Sequence, residues 1–151
     1  MHADTHTYEF EFPTNLEHYT AEAFVVRCFD DRFWKVFKRF LKSQGRHHID
    51  PESVAGGAKV LASPEKDGDR DFMLRELEKS IRLHHTKRVM LFTHHDCGAY
   101  GGIAKFKGMR SDELAFHQEE HQKARDAISK HFPDLAVESY FIDDKGVIKF
   151  S

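Results

Sequence analysis

Short apolar segments that alternate with amphipathic ones are the feature that most narrows the fold of this chain. The segment KRVMLFT at residues 87–93 is strongly apolar and ends in polar residues, and a shorter β-branched run at 24–26 does the same. Such runs are typical of strands buried on both faces of a parallel sheet. The segments between these runs have apolar residues at helical spacing. The alternation therefore predicts an α/β fold, a mostly parallel β-sheet flanked by helices.

The remaining segments are assigned from their spacing and turn residues. LAVESYFI at 135–142 and VIKF at 147–150 are joined by the turn DDKG and predict an antiparallel C-terminal edge. SVAGGAKVLA at 53–62 predicts a further strand, interrupted by its Gly-Gly pair. Amphipathic spacing predicts three helices: from Phe33 to a stop at Gly45, from about Asp71 to His85, and from an N-cap at about Ser111 to His131.

Composition and charge bound the size of the protein and its partners. With 151 residues and 40% apolar content, we expect one compact domain spanning residues 1–151. The 23 basic and 25 acidic residues nearly cancel to a net charge of −2, so no overall field favours nucleic acid or an anionic membrane. There is no apolar run of about 18 residues and no signal-like N-terminus. We expect a cytoplasmic protein whose partner is a small molecule or a second copy.

The two cysteines follow two different predicted strands. Cys28 comes directly after the first strand, and Cys97 lies three residues after His94, where the strand 87–93 has ended. Because ligands collect at the carboxyl ends of parallel strands, we expect these side chains to lie together. A disulfide, two buried thiols and a metal site all remain open at this point. For a metal site, two thiolates and one imidazole favour zinc, with the fourth tetrahedral position open for water.

A longer pattern links the two strand ends. Cys28-x-Asp30-x-Arg32, followed by His94-x-x-Cys97, resembles the zinc signature of the β-class carbonic anhydrases. The order of predicted strands and helices also resembles that family's core. The resemblance implies that Cys28, His94 and Cys97 bind a zinc ion. It also implies that Asp30 and Arg32 form a hydrogen-bonded pair beside the fourth zinc ligand.

The activity implied by this resemblance is the reversible hydration of carbon dioxide to bicarbonate by a zinc-bound hydroxide. Two thiolates leave zinc little net charge, so the bound water needs help from neighbouring groups. Asp30 can accept a hydrogen bond from it, and Arg32 can hold that carboxylate bidentately and keep it ionised. If Arg32 lets go, Asp30 can become the fourth zinc ligand and close the site, which resembles an alternative state of the family. The resemblance further implies a homodimer or a dimer-based oligomer.

One stretch departs from the family pattern. Many β-class enzymes have arginine, asparagine, alanine and glycine in sequence between the two halves of the metal motif, where this chain has Val54-Ala55-Gly56-Gly57. The chain is also short for the family, which indicates a compact, divergent member. The same scaffold can hydrolyse carbonyl sulfide or carbon disulfide, and a divergent member can keep zinc without turnover. A redox protein with a disulfide between the two cysteines is a third alternative.

Other polar residues near the motifs are assigned structural roles. His95 and Asp96 are expected to form the turn that aims the metal ligands, and Asp31 to be solvated or to cap a helix. His117 and His121 share an apolar helical stripe, which predicts core histidines with satisfied hydrogen bonds. Fourteen phenylalanines exceed the needs of one small core, so some are expected between subunits. The basic side chains of the first helix should face solvent: Lys35, Lys38, Arg39 and Lys42.

Overall fold

A five-stranded sheet forms the centre of the protein. The computed structural model describes residues 6–151. The strands are β1 (Ala23–Arg27), β2 (Ile49–Ser53), β3 (Arg88–His94), β4 (Ala136–Ile142) and β5 (Val147–Lys149). They lie in the order β2-β1-β3-β4-β5, with every pairing parallel except that of β4 with β5. The predicted mostly parallel sheet with an antiparallel C-terminal edge is confirmed.

Within residues 6–151, four α-helices and three short 3₁₀ turns connect these strands. The helices are α1 (Trp34–Ser43), α2 (Lys59–Ala62), α3 (Asp67–His84) and α4 (Arg110–His131). The 3₁₀ turns span Asp31–Phe33, Gly98–Tyr100 and Ile103–Phe106. No helix in the described part of the chain is both long and apolar enough to cross a membrane.

Two predicted helix starts were displaced. Helix α3 begins at Asp67 instead of near Asp71, with Asp67 and Asp69 in its first turn, where carboxylates are favourable next to the helix dipole. Helix α4 begins at Arg110, so the prediction of Ser111 as its N-cap was wrong. Met109 occupies that position and makes no side-chain capping bond. The helix ends were closer to prediction. Helix α1 ends two residues before Gly45, whose positive φ of 70° favours glycine at the end of a helix.

The predicted strand over residues 53–62 was wrong. The second strand is β2, which ends at Ser53, and residues 54–57 form a turn leading into α2. Gly56 and Gly57 have φ values of 84° and 57°, a left-handed conformation that a strand cannot contain. Strand β2 was not predicted because Asp50, Pro51 and Glu52 make it polar, which is common in an edge strand.

The sheet buries an apolar layer on each face, as expected from strand alternation. Helices α2, α3 and α4 cover one face, and α1 covers the other. The first layer is built chiefly from Phe24, Val26, Leu61, Met73, Leu77, Val89, Leu91 and Ile128. The second is built chiefly from Val25, Phe37, Leu41, Met90, Phe92, Tyr140 and Ile142. The basic residues of α1 are exposed, as predicted: Lys35, Lys38, Arg39 and Lys42.

Two histidines of α4 are buried next to the sheet. The Nε2 atom of His121 lies 2.9 Å from the Thr93 hydroxyl. Both ring nitrogens of His117 are buried and find no hydrogen-bond partner among the described residues. The prediction of core positions is therefore confirmed. The prediction of satisfied hydrogen bonds was wrong for His117, and for His121 it holds at Nε2 alone, because its Nδ1 is buried without a partner among the described residues. Burial lowers the pKa of His117 to about 4 and that of His121 to about 3.

Gly57 is the position where the turn is least able to accept a side chain. A Cβ atom there would lie 2.3 Å from the Phe92 carbonyl oxygen and 2.8 Å from the Cys28 backbone nitrogen. Gly57→Ala should therefore lower the free energy of unfolding by about 2–4 kcal/mol, combining overpacking with left-handed strain. Chemical denaturation would measure the loss. Gly45→Ala is the matched control, because it has similar strain and no atom within 4 Å, and it should cost about 1 kcal/mol.

His117 should make stability depend on pH. Its pKa rises from about 4 in the folded state to about 6.5 in the unfolded chain, so between these values the unfolded state binds more protons and stability falls as the pH falls. Between pH 7 and pH 5 this amounts to about 1–2 kcal/mol. His117→Phe should reduce the pH dependence of the free energy of unfolding by that amount, measured by chemical denaturation with a chelator present. The exposed His131→Gln on the same helix should leave it unchanged, and equal slopes for both variants would contradict the assignment.

Candidate metal centre

Three potential metal ligands meet at the carboxyl edge of the sheet. Cys28 directly follows β1, and His94 is the last residue of β3, the parallel neighbour of β1. Cys97 precedes the 3₁₀ turn Gly98–Tyr100. Their ligand atoms all lie within 4.8 Å of one another, and all three residues are buried. The structure thus brings together the three residues that the sequence predicts as a metal site.

His94 has one ring nitrogen free to bind a metal. Its Nδ1 lies 2.7 Å from the His95 carbonyl oxygen, so Nδ1 carries the proton and donates it. Its Nε2 is buried and has no hydrogen-bond partner in the described part of the chain. The ring stacks on Phe33 with centroids 4.5 Å apart, which fixes its orientation. A buried acceptor without a donor is costly, and a bound metal would supply the missing partner.

The Cys28 and Cys97 thiols lie close together, and their interaction moves their pKa values in opposite directions. The contact with Cys97 and a hydrogen bond from the Gly56 amide, which lies 3.4 Å from Cys28 Sγ, lower the pKa of Cys28. The same contact with Cys28, together with burial, raises the pKa of Cys97. The pair therefore favours one thiolate and one thiol. A metal ion would bind both sulfurs as thiolates and displace the proton of the remaining thiol.

Asp30 and Arg32 form an ion pair next to these ligands. Arg32 Nη2 lies 2.7 Å from Asp30 Oδ2, and the backbone amide of Arg32 donates to Asp30 Oδ1 at 3.0 Å. Asp30 is the N-cap of the 3₁₀ segment that contains Arg32. This turn brings together two side chains that are only two residues apart in sequence. The hydrogen bond from Arg32 lowers the pKa of Asp30 to about 2. Asp30 Oδ2 is 3.7 Å from His94 Nε2, within reach of a metal bound there.

Sequence reasoning missed the roles of Asp96 and Glu113. Asp96 contacts Arg32, and hydrogen bonds from the Ile103 amide and from Arg32 lower its pKa. Glu113 is buried in the first turn of α4 and bonds to the loop that carries His95 and Asp96. The only sequence signal for the role of Asp96 was its position next to Cys97, one of the predicted metal ligands. No local signal indicated the second, because an acidic residue in a first helical turn is ordinary.

The remaining predicted residues lie where their assigned roles require. His95 and Asp96 form the turn between β3 and Cys97, and Asp96 adopts a left-handed φ of 58°. Asp31 is exposed in the 3₁₀ turn, and the capping carboxylate is that of Asp30. Two sulfurs and one nitrogen, all buried, form a donor set suited to zinc, with Asp30 adjacent to them.

The amino-acid sequence matches a known family over most of its length. The family model described as "Putative carbonic anhydrase" covers residues 19–150. An uncharacterized protein of Rickettsia conorii is 25% identical over 132 residues, which make up 85% of this chain and 71% of that protein.

Solved carbonic anhydrases share the fold. The carbonic anhydrase of Streptococcus mutans matches with a TM-score of 0.60 at 17% identity, over 93% of this chain and 88% of that one. The β-carbonic anhydrase isoform I of Trichomonas vaginalis matches with a TM-score of 0.59 at 13% identity, over 93% and 87%. At such identities the likeness concerns the fold alone, whereas the family model rests on sequence. The predicted resemblance is confirmed, and the chain belongs to the carbonic anhydrase family as a divergent member with the β-class fold.

Proposed function

We propose that this protein is a zinc-dependent carbonic anhydrase, which converts carbon dioxide and water reversibly to bicarbonate and a proton. One observation carries the proposal: the ligand atoms of Cys28, His94 and Cys97 lie within 4.8 Å of one another in a buried cluster, and the carboxylate of Asp30 faces it. Family membership supports the reaction class.

Three residues would hold the zinc ion. Cys28 and Cys97 supply sulfur, and His94 supplies Nε2, whose orientation is fixed by the bond from Nδ1 to the His95 carbonyl. Zinc, when bound, lowers the pKa of water and so provides a nucleophile for carbon dioxide near neutral pH. The Gly56 amide donates a hydrogen bond to Cys28 Sγ and would partly offset the negative charge of that thiolate.

Asp30 and Arg32 would serve the reaction by orienting water and holding charge. With a pKa of about 2, Asp30 stays ionised at neutral pH and acts as an acceptor only. A water molecule that donates one hydrogen to Asp30 Oδ2 has its oxygen lone pair directed away from the carboxylate, toward the substrate. Arg32 holds Asp30 in this position with its own side chain and backbone amide.

A second candidate function is a zinc protein without turnover. The observation that favours it is the turn at residues 54–57, where the family's arginine and asparagine are replaced by Val54 and Ala55. Neither side chain can donate a hydrogen bond to substrate or to a partner subunit. This candidate predicts stoichiometric zinc with no catalysis. Hydrolysis of carbonyl sulfide or carbon disulfide would use the same zinc ligands. Only assays with those substrates distinguish it from the hydration of carbon dioxide.

The reaction can be measured directly. Zinc-loaded protein should contain one zinc per chain by elemental analysis and should acidify a carbon dioxide solution faster than buffer in stopped flow. Removing the metal with a chelator should abolish the rate, and adding zinc should restore it. Asp30→Asn should lower kcat/KM by about tenfold or more while zinc stays bound, because the acceptor charge is lost.

Asp31→Asn is the matched control for this experiment. Asp31 is the exposed neighbour in the same 3₁₀ turn, so its variant should retain the full rate. A zinc-loaded protein no faster than buffer would contradict the enzymatic proposal and leave the zinc protein without turnover. Carbonyl sulfide and carbon disulfide should be assayed in parallel. Absence of zinc from the purified protein would contradict both candidates.

We also infer that the protein is a homodimer, while its cytoplasmic location remains a prediction from sequence. The extended segment before β1 exposes large apolar side chains that one copy leaves in water: Tyr8, Phe10, Phe12 and Leu16. Their burial between two copies would remove this apolar surface from solvent.

Sedimentation equilibrium should give twice the chain mass, and the double variant Phe10→Ser, Phe12→Ser should shift the measured mass toward that of the monomer. A monomeric parent protein at micromolar concentration would contradict the inference.

A further inference from the structure

Arg32 contacts two carboxylates. Its Nη2 donates to Asp30 Oδ2 at 2.7 Å and to the Asp96 backbone carbonyl at 3.0 Å, while Nη1 lies 3.2 Å from Asp96 Oδ2. Its Nε lies 3.1 Å and 3.2 Å from the two carboxylate oxygens of Asp30. A guanidinium group is planar and its donors have a fixed geometry, so both residues together determine how it is oriented.

Asp96 is itself held firmly in place. Its amide donates to Glu113 Oε2 at 2.8 Å, and its Oδ1 accepts from the Ile103 amide at 2.8 Å. The second oxygen of Glu113 lies 2.7 Å from His95 Nδ1, so this buried carboxylate bonds two consecutive residues of the loop. These bonds maintain the left-handed conformation of Asp96. Helix α4 thus anchors Asp96, and Asp96 anchors Arg32.

Asp30 needs such an anchor, because its alternative position is close. Asp30 Oδ2 is only 3.7 Å from His94 Nε2, so a small rotation would bring it into contact with a metal ion. The side chain of Arg32 is 56% exposed, and an exposed ion pair alone restrains its partner weakly. Two additional bonds to Asp96 reduce the freedom of the guanidinium and so strengthen its hold on Asp30.

We propose that Asp96 is a positioning residue, which keeps Arg32 paired with Asp30 and thereby keeps Asp30 out of the fourth zinc position. The inference rests on the proposed zinc site. Asp96 touches neither the metal nor the substrate in this role. It acts through Arg32, and Glu113 acts through Asp96.

Zinc affinity provides a test that does not depend on catalysis. Asp96→Asn removes the charge that attracts Arg32 but retains an oxygen for the Ile103 amide and tolerates the left-handed conformation. The released Asp30 should then bind zinc as a fourth protein ligand. Titration of the full-length apoprotein against a chromophoric zinc chelator should therefore show affinity about three- to tenfold tighter than in the parent protein. If the parent hydrates carbon dioxide, kcat/KM should fall about tenfold.

A second background shows whether the effect passes through Asp30. In Asp30→Ala protein, adding Asp96→Asn should leave zinc affinity unchanged, because no carboxylate remains to be released. Asp144→Asn is the matched control, since it removes an exposed carboxylate 2.6 Å from Arg110, and it should have no effect. Weaker zinc binding in Asp96→Asn would mean a merely structural role and overturn the proposal, as would equal tightening in the Asp30→Ala background. A parent protein that binds zinc without hydrating carbon dioxide would refute the proposed activity alone.

Discussion

The parallel pairing of β1 with β3 is the interaction on which the candidate site depends. Val26 lies opposite Leu91 in this register, so both strands end at the same edge of the sheet. Cys28 and His94 come from chain segments 66 residues apart, and this register alone aligns them. Apolar layers on both faces of the sheet hold the two strands together. The stability of the core and the geometry of the ligands therefore have a common origin.

Around this edge, charge is arranged in opposing pairs. The sulfurs of Cys28 and Cys97, together with Asp30, make the centre strongly attractive to a cation, while Arg32 neutralises the carboxylate nearest to it. Glu113 is almost fully buried, yet both its oxygens have donors, which is what permits a charge at that depth. The site is thus prepared for a divalent ion without exposing a large unpaired charge to the core.

Much of this architecture can be predicted from sequence, because apolar strands and ligand spacing are local signals. The strands at 87–93 and 135–142 and the convergence of Cys28 with His94 and Cys97 follow from such signals. The turn at residues 54–57 was missed because an apolar stretch with two glycines resembles an interrupted strand, and only the positive φ values separate the two. The bond between Asp96 and Arg32 joins residues 64 positions apart. Contacts of that kind depend on tertiary structure and leave no periodic pattern.

The placement of Gly57 has a consequence for how this site can diverge over evolution. Gly57 is wedged between the Phe92 carbonyl and the Cys28 amide, whereas Ala55 of the same turn faces solvent. A substitution at Ala55 can change the exposed side of the turn while the backbone that holds Cys28 stays fixed. Sequence variation can therefore accumulate at the exposed position of this turn without disturbing the three candidate metal ligands.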